Sequence, residues 1–181
     1  GASVALNGNS FSNFSNPAGL SNLEHNSIAA SHLILGAGVQ QSYLGLYRKL
    51  KNEGTLGLAI NSLNSGAMKV RTEFQPNGTG KLFYVNYTAL GVNYAQKLSE
   101  MFNVGLAINY IYESLAEYKN HTATVNIGFM YETDFKELKF AVNVQNFGGN
   151  SSLTGDVLPV DFNRPNVTLD DYTVPTVFKM G

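Results

Sequence analysis

The chain has 181 residues with a formal net charge of −1, which excludes a general electrostatic attraction to nucleic acid. Hydrophobic residues make up 44% and charged residues 14%, against about a quarter charged in an ordinary soluble domain. Cysteine is absent, so disulfides and thiolate metal sites are excluded.

Residues 1–25 stand apart from the rest. Asn, Ser and Gly crowd Asn7 to Ser15, and Asn16-Pro17-Ala18-Gly19-Leu20 follows. Pro17 fixes its own φ and pushes Asn16 to an extended conformation, while Gly19 permits a tight turn. An irregular, hatch-like segment is expected here, one that packs inside something or leads into a first strand near Asn26 to Leu33. The opening Gly1-Ala2-Ser3-Val4 lacks the basic start and apolar stretch of a secretory signal, which an exported protein would have lost. Gly36-Ala37-Gly38 has no dinucleotide fingerprint around it and falls between two strands, so it reads as a turn.

From residue 40 onward, alternation with period two dominates. Leu56, Leu58 and Ile60 oppose Gly57, Ala59 and Asn61. Leu90, Val92 and Tyr94 oppose Ala89, Gly91 and Asn93. Val104, Leu106, Ile108, Tyr110 and Tyr112 oppose Gly105, Ala107, Asn109 and Ile111. Ala123, Val125, Ile127, Phe129 and Tyr131 oppose Thr124, Asn126, Gly128 and Met130. Phe140, Val142 and Val144 oppose Ala141, Asn143 and Gln145. In each segment the large face is free of charge over its middle, and the other face is small or polar. A lipid-facing band needs the first property, because a charge at mid-bilayer costs about 2–4 kcal/mol. A lumen tolerates the second. No apolar run reaches the roughly 18 residues of a spanning helix, so a membrane would be crossed by strands.

The connections alternate in length. Arg48 to Gly54, Lys97 to Asn103 and Thr133 to Leu138 are short. Asn64 to Lys81 and Gly148 to Thr173 are long, and Ser114 to His121 is intermediate. Membrane barrels keep the turns at one end short and let the other loops grow. The alternative is a soluble antiparallel sandwich, whose buried face also selects large apolar residues. Aromatic residues near strand ends (Phe83, Tyr84, Tyr110, Tyr112, Phe129, Tyr131) suit interfacial girdles, although Trp is absent. Val174 to Gly181 reads as a strand cut off just after it begins. The fold class expected is all-β: an antiparallel transmembrane β-barrel of which residues 26–181 supply about seven or eight strands.

Four stretches carry a resemblance to a known family. Asn16-Pro17-Ala18-Gly19-Leu20 is similar to an N-terminal NPAGL motif. Gly54-Thr55-Leu56-Gly57-Leu58 through Leu63-Asn64-Ser65-Gly66 is similar to a "GTLG…L.SG" strand and loop. Ala89 to Leu98 is similar to "ALGLSYARKL", and Phe140 to Gly148 to "LRIGMSISNFG". In order and spacing the chain resembles the PorV/PorQ outer-membrane proteins, themselves similar to FadL-type barrels. The usual glycine- and methionine-rich start of that family is reduced here to Gly1 to Gly8. The resemblance implies a barrel of about fourteen strands in the bacterial outer membrane, with Asn16, Pro17, Ala18 and Gly19 in its hatch. It implies a component of the type IX secretion system that binds or shuttles the C-terminal signal domains of cargo, with the secretion machinery as partner. Phe74, Phe162, Arg164 and Tyr172 in the two long loops are the candidate partner contacts. The second function weighed is a FadL-like channel for hydrophobic small molecules, gated by the hatch.

No catalytic, metal or cofactor site is expected. His25, His32 and His121 lack metal spacing. Glu113 and Glu117 fall at a strand end and its loop, where no pocket is marked. Asp156, Asp161, Asp170 and Asp171 lack the spacing of a calcium loop. Asn120-His121-Thr122 matches a glycosylation sequon, as an Asn-rich chain does by chance.

Overall fold

The structure is a computed structural model. It describes residues 2–5, 8–116, 118–135, 138–148, 150–151 and 172–181. Eight strands form one antiparallel sheet: β1 (Ser27–Ile34), β2 (Gln40–Lys49), β3 (Gly54–Asn64), β6 (Val85–Lys97), β7 (Phe102–Leu115), β8 (Tyr118–Glu132), β9 (Lys139–Gly148) and β12 (Val177–Met180). Each strand of this sheet pairs with the next one in sequence, an up-and-down meander. Two two-residue ladders lie in the connections, β4 (Met68–Lys69) with β5 (Leu82–Phe83) and β10 (Asn150–Ser151) with β11 (Tyr172–Thr173). The all-β antiparallel class expected from the alternation is therefore observed. Among the described residues the sheet is open, since β1 and β12 each pair on one side only.

The strands form for the reason the periodicity implied, and their faces are the ones it separated. Leu44, Leu46, Leu56, Leu58, Ile60, Leu90, Val92, Leu106, Ile108 and Tyr110 are exposed. The alternate positions Thr55, Asn93, Ala95, Asn103, Ala107, Thr124 and Asn143 are almost fully buried. This inverts the usual arrangement of a half-covered sheet, where the apolar face is the covered one. Among the described residues no second sheet lies over the apolar face.

Connections Leu50 to Glu53, Leu98 to Met101 and Thr133 to Leu138 share one end of the sheet, here called the turn end. Each is closed by a backbone bond, Leu50 N–H to Gly54 O at 2.8 Å, Leu98 to Phe102 at 2.9 Å and Thr133 to Leu138 at 2.9 Å. The long connections 65–84 and 149–176 leave from the loop end. One expectation is corrected there. Ser114 to His121 is no loop of intermediate length: β7 and β8 pair as far as Leu115 and Tyr118, so the turn is two residues. The polar composition that suggested a loop belongs to strand ends that run past the apolar band and are polar on both faces.

The described residues of 2–22 form 3-10 turns at Ala2–Ala5, Ser12–Phe14 and Pro17–Asn22 and include no strand. They lie on the small, polar face of the sheet. Pro17–Asn22 packs against β6, β7 and β8, nearer the turn end.

Candidate functional site: the hatch and its seat

Local chemistry shapes the hatch first. Asn16 is extended (φ −160°, ψ 116°) and caps the turn that Pro17 begins, its Oδ1 accepting the Ala18 N–H at 3.0 Å. The Asn16 amide Nδ2 donates to the Val4 carbonyl (3.2 Å) and to the Phe129 carbonyl of β8 (3.1 Å). One fully buried side chain thus joins two turns of the hatch to the wall.

The wall is cut to receive it. Thr55, Ala95, Gly105, Gly128 and Asn143 are successive cross-strand partners on one row of the inner face. A Cβ on Gly105 would collide with the backbone of Pro17 and Ala18, and one on Gly128 with the Asn16 amide. Two facing glycines therefore make a notch into which Asn16-Pro17-Ala18 fits at backbone contact. Leu20 completes the seat in an apolar cluster with Leu23, Ala29, Tyr43, Tyr47 and Ala95, and Val4 and Ala18 pack with Met130 and Ala141.

Polar tethers surround this seat. Asn143 Nδ2 donates to the Ser15 carbonyl at 2.6 Å, Lys49 Nζ to the Ser21 carbonyl at 2.7 Å, and Asn22 Nδ2 to Glu132 Oε1 at 2.8 Å. Glu132 also pairs with Lys139 at 3.4 Å. Buried polar atoms remain without a partner under the hatch, among them Thr55 Oγ1 and both amide atoms of Asn93.

All four hatch residues expected from the sequence, Asn16, Pro17, Ala18 and Gly19, are buried in this seat. The loop residues behave differently. Phe74 is 93% exposed at the tip of the 65–84 connection. Tyr172 is turned to the wall: its hydroxyl accepts from Asn120 Nδ2 at 2.8 Å and donates to Glu113 Oε2 at 3.2 Å. Ser151 Oγ donates to Asn120 Oδ1 at 2.7 Å, so this group fastens the β10–β11 ladder to the loop end of β7 and β8. Phe162 and Arg164 lie outside the described residues.

The Gly105–Gly128 notch and the Asn143 tether went unassigned in the sequence. Their signal is small or amide side chains in register across five strands, visible only once the pairing is known. Among the described residues no group of three or more His, Asp or Glu is placed to hold a metal ion. Nδ1 of His121 meets the Tyr110 hydroxyl at 2.6 Å, and its ring packs on Tyr112. His32 Nδ1 meets Ser42 Oγ at 2.9 Å.

No family model, curated protein or solved structure matches this chain.

Proposed function

We propose that the chain is part of the wall of an outer-membrane β-barrel with its hatch seated on the lumen side, a PorV/PorQ-type component of type IX secretion that holds cargo signal domains at its outer loops. One observation carries the membrane reading: large apolar side chains form the exposed face of the long strands, while the covered face is mostly small and polar, its large members Tyr43, Tyr47, Ile111 and Met130 being buried. In water this exposes a contiguous apolar surface far beyond what soluble domains carry; in lipid it is the expected outer surface.

The position of the apolar band supports the same reading. On β1 the outward residues Ile28 to Ile34 centre on Ser31, whose row runs through Tyr43, Asn61 and Ala89. On β9 the outward Phe140, Val142 and Val144 centre on Val142, whose row runs through Phe129 and Val104 to Gln96. On β6 those rows lie at positions 89 and 96, seven residues apart (96 − 89), across the six spacings from β1 to β9. At about 3.4 Å per residue and about 4.8 Å per strand, the band crosses the rows at roughly 40°. That is the strand tilt of outer-membrane barrels, about 35–45°. On β7 the outward residues from Phe102 to Tyr112 are all apolar or aromatic. Ten steps of about 3.4 Å at this tilt give a height of roughly 26 Å, against a barrel band of about 25 Å.

Between the two functions weighed, the inner face favours secretion. Its cleft is lined mainly by amides, hydroxyls and small residues around Phe14, Tyr43 and Ile111, a lining in which amides interrupt the apolar surface an acyl chain would follow. The exposed Phe74 on a long outer loop suits a partner contact. Deleting Gly66 to Phe83 and measuring cargo retained at the cell surface tests this assignment. Loss of surface cargo with the protein still in the outer membrane is expected; unchanged secretion removes the role of the loop.

A further inference from the structure

We propose that a cleft between the hatch and the inner wall, above the seat of Asn16, binds a neutral, hydroxyl-rich ligand the size of one sugar ring. The cleft holds about 160 Å³, room for roughly ten water-sized groups. Its polar lining includes Asn61, Asn109, Asn126, Thr124 and Tyr87 from the wall, with Phe14 contributed by the hatch, and no charged residue lines it.

This lining selects by chemistry. Each side-chain amide carries donors and an acceptor, as a hydroxyl does, so amides and hydroxyls match without charge. An ion would find no counter-charge, and an acyl chain would strand the amides without partners. The amides are held in place. Asn61 Oδ1 accepts from Gln41 Nε2 at 3.1 Å, and Asn126 Oδ1 accepts the Asn146 N–H at 2.8 Å. Asn109 Oδ1 lies 2.7 Å from where a Cβ of its cross-strand partner Gly91 would stand, so glycine there lets the amide lie flat on the wall.

A further feature points to a ligand. Phe14 packs on Tyr43 with ring centroids 4.4 Å apart yet keeps 45% of its surface exposed. An apolar ring beside convergent polar groups is how a site orients a ring-shaped, hydroxylated molecule. A peptide would instead need an extended groove or a free strand edge.

The test is saturation-transfer NMR on the full chain folded in detergent micelles. The probes are glucose and N-acetylglucosamine, with decanoate and acetyl-trialanine amide for comparison. Transfer to the sugar ring protons is expected, with affinity about threefold to tenfold weaker in Asn109→Ala and in Asn61→Ala, and unchanged in the outward-facing Ser62→Ala. Circular dichroism checks that each variant is folded, and either amide variant alone suffices. No transfer to either sugar, transfer to decanoate or peptide only, or equal affinity in folded amide variants and wild type would overturn the proposal.

Discussion

At the residue scale, the hatch hangs on contacts too close for any added atom. A methyl group on Gly128 would occupy the place of the Asn16 amide, and relief requires the hatch to lift. Gly128→Ala is expected to destabilise the seat by about 2 kcal/mol, in the range for overpacking. Hydrogen exchange reads it as faster exchange at Ala18 and Gly19, with the strands unchanged. Gly36→Ala is the control: its Cβ meets nothing within 4 Å, and its effect should stay below about 0.5 kcal/mol. Asn16→Ala removes a cap and two buried donors together and should cost about 2–4 kcal/mol in the same assay. The sequence identified Asn16-Pro17-Ala18-Gly19 as a structured break, because capping and proline chemistry are local. Its seat was not legible, because Gly105 and Gly128 become a notch only when β7 and β8 pair in one register.

At the scale of elements, alternation located the strands and separated their faces, since a two-residue period is a local property. Its limits show at β7 and β8. Glu113, Ser114, Lys119 and Asn120 resemble a loop in composition, yet they are strand residues that have left the apolar band. β9 carries a second irregularity that the sequence did not signal. The register shifts between Val125 and Ile127, and Asn146 adopts φ 57° at the bulge. Asn tolerates this conformation, whereas a β-branched side chain does not. Asn146→Val should therefore destabilise the folded chain by about 1–3 kcal/mol in denaturant titrations, while Asn146→Gly stays close to wild type. The outward faces allow a depth test. Val92→Lys, in the middle of the band, should cost about 2–4 kcal/mol of stability in bilayers, and Ser62→Lys, at its edge, about 0–1. Equal costs at both positions would argue against a membrane.

At the scale of the whole molecule, the described residues leave two sheet edges open and one apolar face uncovered, as the proposed barrel wall requires. β1 and β12 present unpaired backbone groups, which a closed barrel would pair and a stable isolated sheet would protect. The absence of cysteine makes the central claim directly testable, because a single introduced cysteine can carry a spin label without interference. Labels placed in turn at residues 56–61, 89–94 and 105–110, in the chain reconstituted into bilayers, would be read for collision with oxygen, which concentrates in lipid, and with a water-soluble nickel complex. The lipid-facing account predicts oxygen contact at Leu56, Leu58, Ile60, Leu90, Val92, Tyr94, Leu106, Ile108 and Tyr110, and low oxygen contact at the residues between them. Nickel contact at those apolar positions, as on a sheet bathed in water, would contradict it.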